Sequence, residues 1–162
     1  MSLTAGLLTV SSSRAAGDAE DRGGPELERF AREIGAEILA AEVIADDREL
    51  VAERLRHLSD EVGCALVLTT GGTGFAPDDV TPEATRDVID REAPGLAEAM
   101  RAASRAHSPH WMLSRAVAGT RGRTLIINFP GSPKAILEAG AALAASLPHA
   151  LRLLRGEDDP HR

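Results

Sequence analysis

Tyrosine is absent from this 162-residue chain, and three phenylalanines with one tryptophan bring the aromatic share to 2%. The core must therefore be built from Ala, Leu, Val and Ile, and the stacking platforms used by single-stranded nucleic-acid binders are missing. A single cysteine, Cys64, excludes an internal disulfide framework and any multi-cysteine zinc site, which fits a reducing compartment. Cations are outnumbered, 18 Lys and Arg against 25 Asp and Glu, for a net charge of −7. That sign opposes a polyanion partner, because affinity for a phosphate backbone comes mostly from Lys and Arg. No apolar run approaches the roughly 20 residues of a membrane span. The opening MSLTAGLLTV also lacks the basic and long apolar regions of a secretory signal. The expectation is a cytoplasmic protein that takes neither nucleic acid nor membrane as partner.

A hydrophobic content of 43% with 27% charged residues is ordinary for a globular protein. The length predicts one domain, taken as residues 1–156, followed by a polar tail at 157–162. Strand and helix signals alternate. Apolar runs at 6–10, 37–44, 64–70 and 124–128 read as strands. Amphipathic patterns opening near Pro25, Asp47, Pro82, Pro94, Pro133 and His149 read as helices, the third of them over 82–92. The segment 107–122 fits neither template. This rhythm predicts an α/β fold in three layers, a mostly parallel sheet with helices on both faces. Ligands of such sheets bind outside the carboxyl ends of the strands. The loops after residues 10, 70 and 128 satisfy that placement.

The loop after residue 70, TGGTGFAPDD, combines Thr70, Gly71, Gly72, Thr73 and Gly74 with a closing pair of aspartates. Glycines let backbone N–H groups point at one oxygen cluster, so the stretch reads as an anion cradle, although a tight strand-to-helix turn would use the same residues. It is neither a Walker A loop nor G-x-G-x-x-G. The loop after residue 128, NFPGSPK, places Ser132 as the cap of a helix beginning at Pro133, with Pro130 and Gly131 before it; this leaves a positively polarised helix end at the same rim. Carboxylates beside an anion cradle imply an intervening cation.

Asp46 and Asp47 serve equally well as an N-cap with a first-turn acid, and Asp78 and Asp79 as turn residues. Both pairs nevertheless follow strand ends and would come to one rim, the usual arrangement for holding magnesium against phosphates. Arg115, after Ser114, is a cation in an expected loop region and would pair with a phosphate or a surface acid. His57 reads as solvated on a helix. His107 and His110, separated by a proline, make a poor metal platform, and Cys64 reads as a packed small hydrophobe.

Three stretches, LTTGGTGFAPDDVTPEAT, MLSRAVAGTRG and TLIINFPGSPKA, resemble in order and spacing those of the molybdopterin-binding family. That family holds the bacterial Mog and MoaB proteins and the G domains of their plant and animal counterparts, gephyrin among them. The likeness spans essentially the whole chain and is weaker before residue 40. It implies a homotrimer that adenylylates molybdopterin with Mg-ATP, yielding adenylyl-molybdopterin and pyrophosphate for a MoeA-type molybdenum insertase. A non-catalytic, MoaB-like pterin carrier is the alternative, and a related domain acting on another nucleotide, as in CinA-type proteins, is a third.

By the same resemblance, Asp46 and Asp79 are the essential carboxylates and position Mg²⁺. Ser11, the glycine loop from Thr70 to Gly74, Ser114, Arg115 and Pro130 to Ser132 line the nucleotide and pterin-phosphate site. Four positions depart from the family's pattern. Ser12 and Ser13 stand where an acid and a base are usual, with Arg14 as a substitute cation. Asp78 stands where a basic residue is frequent, and Ala45 where proline is common.

Overall fold

The computed structural model describes residues 2–157. Its strands are β1 (Leu3–Val10), β2 (Ala36–Ile44), β3 (Leu66–Thr70), β4 (Arg91–Glu92), β5 (Ala118–Arg121) and β6 (Thr124–Phe129), joined in one sheet of order β2-β1-β3-β6-β5-β4. β2, β1, β3 and β6 run parallel. β5 is antiparallel to both of its neighbours. The helices are α1 (Ser12–Ala15), α2 (Gly23–Glu33), α3 (Arg48–Arg56), α4 (Thr81–Val88), α5 (Pro94–Ser104), α6 (Pro133–Leu143) and α7 (Leu147–Leu154).

Side chains of a strand alternate between the two faces of its sheet, and the apolar runs of this chain feed a core on each side. Leu7, Leu66, Leu68, Ile127 and Phe129 pack with Leu27 and Phe30 of α2, Met100 of α5, Ile136 of α6 and Leu151 of α7. Their neighbours Leu8, Val67 and Ile126 point the other way, onto Val51 and Leu55 of α3 and Ala84 and Val88 of α4. The expected three-layer architecture is the one observed. With so few aromatics, one pair stands out: the Phe30 and Phe129 rings lie 5.3 Å apart at 43°, a tilted geometry worth about 1 kcal/mol beyond the area it buries.

Some elements differ from the expectation. The third predicted helix stops at Val88 instead of reaching residue 92, and Arg91–Glu92 pairs with β5 as a short edge strand. The cause is long-range. The Asp90 N–H donates to Thr120 O at 2.7 Å, and its carboxylate accepts from Gly122 N at 2.7 Å, so the sheet edge captures the chain. The unassigned stretch 107–122 holds a 3₁₀ turn, Trp111–Leu113, and β5. The loop after β1 contains the single turn α1, and α3 continues into a π-helical turn, His57–Glu61. Among the described residues no helix is long and apolar enough to cross a membrane. Of the expected polar tail, residues 158–162 lie outside the described residues.

Candidate active site

Thr9 of β1 pairs with Thr70 of β3, which pairs with Phe129 of β6, so these three strands end level with one another. Their loops leave the sheet side by side. Val10 likewise pairs with Ile44 of β2, which sets Ser12 against Asp46, each two residues further on. Because β5 is antiparallel to β6, the segment entering β5, Ser114 and Arg115, starts from the same rim.

The glycine loop is shaped by two positive-φ residues, Gly71 at +91° and Gly72 at +69°. A Cβ on Gly71 would lie 2.5 Å from the Val10 carbonyl, and one on Gly72 would collide with the Thr81 hydroxyl. Only glycine meets both the dihedral and the spacing. Thr81 is the first residue of α4, and its hydroxyl donates to Gly71 O at 3.0 Å. Its N–H donates to Gly72 O at 3.1 Å. The N–H groups of Gly72, Thr73 and Gly74 meet no acceptor among the described residues. On the adjacent loop, the Thr70 hydroxyl donates to Pro130 O at 2.7 Å. Gly131 backs onto Gly71, and Ser132 caps α6 by accepting from Ala135 N. The rim thus offers unclaimed backbone donors and a helix N-terminus, with Lys134 exposed in its first turn.

The ambiguity within the first aspartate pair is resolved by one bond. Asp47 caps α3, accepting from Leu50 N at 2.9 Å. Asp46 turns away from the helix: its Oδ2 accepts from Ser12 N at 2.9 Å, and its own N–H donates to Ser12 Oγ at 2.9 Å. Its Oδ1 points at Gly72. Asp79 is held similarly, with Oδ2 accepting from Ala76 N at 2.9 Å beside Gly74. Asp78 stays exposed. Asp46 and Asp79 therefore flank the glycine loop, each with Oδ1 unclaimed among the described residues. No cluster of three or more His, Cys, Asp or Glu that could cage a metal occurs among those residues. Two hard oxygen donors suit magnesium, which is commonly held by one or two carboxylates together with waters and substrate phosphates.

Arg115 is turned into the protein. Its Nε donates to Gly74 O at 2.7 Å, Nη2 to Asp79 O at 2.8 Å and Nη1 to Glu83 Oε1 at 2.5 Å. Burial pushes the Glu83 carboxyl up, but the hydrogen bonds from Arg115 and from backbone, with the charges of Arg115 and Arg86, leave it below its ordinary range. Ser114 presents its carbonyl to Arg101. Ser11 accepts from Arg14 N, while the Arg14 side chain donates to Glu20 O at 3.0 Å.

The sequence reading did not single out Glu83 or the start of α2. There Asp21 accepts from Thr9 Oγ1 and Gly24 N, and Gly23 packs against Thr70 and Gly131. The doublet Gly23-Gly24 directly before Pro25 was the available signal. His57 lies half-buried, 3.1 Å from Glu61 and away from the rim, and His107 is 3.7 Å from Glu138. Cys64 is buried at the opposite end of the sheet.

Residues 6–149 match the family model described as "Probable molybdopterin binding domain". A molybdopterin adenylyltransferase of Haemophilus influenzae is 41% identical over 168 residues, covering 95% of this chain and 85% of that protein. The molybdenum cofactor synthesis protein cinnamon of Drosophila melanogaster is 39% identical over 97% of this chain, which spans 26% of its length. Among solved structures, the molybdopterin biosynthesis enzyme MoaB of Thermus thermophilus superposes with a TM-score of 0.90 at 44% identity, covering 96% of this chain and 98% of that one.

Proposed function

We propose that this chain, which belongs to the molybdopterin-binding domain family, is a molybdopterin adenylyltransferase of molybdenum cofactor biosynthesis. Molybdopterin and ATP are its substrates, adenylyl-molybdopterin and pyrophosphate its products. The observation that carries the reading is the pair of carboxylates, Asp46 and Asp79, flanking a glycine loop whose N–H groups are unclaimed among the described residues. Simple anion capture would disfavour two acids there; joining two phosphates around a cation accounts for them.

In the reaction, a terminal phosphate oxygen of molybdopterin attacks the α-phosphorus of ATP. The new P–O bond forms as the bond to the β-phosphate breaks, and pyrophosphate leaves with the electron pair. No side-chain nucleophile is needed, since the substrate phosphate is one. The chain's part is positioning and charge stabilisation. The N–H groups of Gly72, Thr73 and Gly74 bind phosphate oxygens, as does the α6 end at Gly131 and Ser132, and they are fixed before substrate arrives. Asp46 and Asp79 would hold Mg²⁺, which when bound offsets the phosphate charge.

The same reading places residues 1–156 as one molybdopterin-binding domain, assembled as a homotrimer in the cytoplasm and delivering its product to a MoeA-type insertase. The buried thiol of Cys64 accords with a reducing compartment. A sedimentation mass three times that of the chain would support the trimer. The activity is tested by supplying molybdopterin, ATP and Mg²⁺ anaerobically and separating the products by chromatography. Adenylyl-molybdopterin that disappears with EDTA establishes the reaction. Pterin retained without product would instead support a carrier of MoaB type.

A further inference from the structure

The loop that bears Asp79 is closed by one side chain. Between Gly74 and Asp79 the residues at 75–78 are exposed, and the ends of the turn are gripped by Arg115. Nε donates to the Gly74 carbonyl at 2.7 Å and Nη2 to the Asp79 carbonyl at 2.8 Å. These two nitrogens form the edge of the guanidinium that elsewhere grips a carboxylate or phosphate at two points. Nη1 reaches both Glu83 oxygens, at 2.5 and 3.2 Å, and the Arg115 N–H donates to Thr73 O at 2.9 Å. Every nitrogen of the guanidinium is committed to the protein. The carboxylate of Asp79 is meanwhile anchored within the same turn, by Ala76 N, so it is no better placed than the turn itself.

We propose that Arg115 is a positioning residue for adenylyl transfer: by clasping both ends of the Gly74–Asp79 loop it holds the Asp79 carboxylate beside the glycine loop, and Glu83 fixes the orientation of the clasp. The inference rests on the reaction proposed above. A two-point contact with substrate phosphate would instead need a free edge of the guanidinium, and here the Nε–Nη2 edge is taken by the two carbonyls and Nη1 by Glu83. Lysine keeps the charge but is a point donor, unable to bridge both carbonyls and Glu83 at once. The Arg115→Lys variant thereby separates geometry from charge.

Arg115→Lys, Arg115→Ala and Glu83→Gln are compared with wild type in the molybdopterin, ATP and Mg²⁺ assay and by hydrogen–deuterium exchange. Arg115→Lys is expected to lower kcat by roughly 10- to 100-fold, the range typical when a residue supporting a metal ligand is lost. Its KM for molybdopterin should stay near the wild-type value, and amides within 74–79 should exchange faster while the sheet keeps its protection. Arg115→Ala should regain part of its kcat when guanidinium chloride is added at millimolar concentration. Glu83→Gln should fall between wild type and Arg115→Lys. A wild-type kcat in Arg115→Lys overturns the proposal. A loss carried by the molybdopterin KM would make Arg115 a substrate contact, and faster exchange throughout the sheet would make it a general stabiliser; either result also overturns it. If wild type forms no product, the adenylylation reading fails by itself. Exchange at 74–79 then still decides the clasp, upheld if it quickens in Arg115→Lys and overturned if it does not.

Discussion

Ser12 and Asp46 exchange two hydrogen bonds, each 2.9 Å long, between the ends of two adjacent parallel strands. The Ser12 backbone N–H thus sets the direction of the Asp46 carboxylate and leaves Oδ1 toward the glycine loop, while the Ser12 hydroxyl, accepting from Asp46 N, holds the backbone that carries it. Ser12→Ala removes one of the two bonds. We expect it to lose about 1 kcal/mol of stability and to raise the magnesium concentration for half-maximal activity by about 10-fold. Urea unfolding and a magnesium titration of the assay check the two effects, and an unchanged magnesium requirement would separate Ser12 from the site.

Gly71→Ala should be among the most damaging single substitutions in the loop. A non-glycine residue at positive φ costs on the order of 1–3 kcal/mol, and here the added methyl also meets the Val10 carbonyl, a backbone atom that cannot rotate away. Loss of at least about 2 kcal/mol in urea unfolding is the expected outcome. A loss of a few tenths would mean that the close approach of β1 and the loop is not maintained in solution.

Acid should weaken the fold through its paired carboxylates. Glu83 is held below its ordinary range despite burial, by the Arg115 interactions. Asp60 is lowered by its hydrogen bond from Arg121, and Asp87 by its hydrogen bond from Arg48. Each group has a folded pKa below its unfolded one, so the unfolded chain binds more protons as the pH drops. The stabilisation is therefore complete above the unfolded carboxylate range, about pH 4, and is lost as the pH falls through the folded values. Urea midpoints should be level between about pH 7 and 5 and decline below about pH 4. Glu83→Gln should flatten part of that decline; an acid limb identical to wild type would show that the Arg115 pair contributes nothing to it.

Cys64 is expected to be inert in the native protein. Burial pushes its thiol up to about 11, partly opposed by a backbone hydrogen bond, so the thiolate fraction at neutral pH is negligible. A thiol-specific chromogenic reagent should report no rapid reaction before denaturation and one equivalent after it. Rapid labelling of folded protein would contradict the packing at the base of β3.

The strands that build the rim were legible because their apolar runs end at polar or turn-forming residues, Ser11 after β1, Asp46 after β2, Gly71 after β3 and Pro130 after β6, and a parallel sheet brings such ends together. What local pattern could not supply was any choice made by a distant partner. Asp46 and Asp47 satisfy the same capping rule, and the bond from Leu50 N decides between them. The helix after Pro82 stops early because Thr120 and Gly122, some thirty residues on, take both polar groups of Asp90. Arg115 reads by residue type as a partner for a phosphate or an acid; the choice falls to Glu83, with the carbonyls at 74 and 79 taking its other edge. β4 is too short to carry any periodicity.

The most direct test of the account compares wild type with Asp79→Asn, each given molybdopterin, ATP and Mg²⁺ under anaerobic conditions, with product and retained pterin measured in the same sample. Wild type should yield adenylyl-molybdopterin and pyrophosphate in equal amounts. Asp79→Asn should keep its pterin while product formation falls by at least about 100-fold. Equal turnover by the two proteins would contradict the role given to Asp79, and pterin retained by wild type without product would contradict the adenylyltransferase itself.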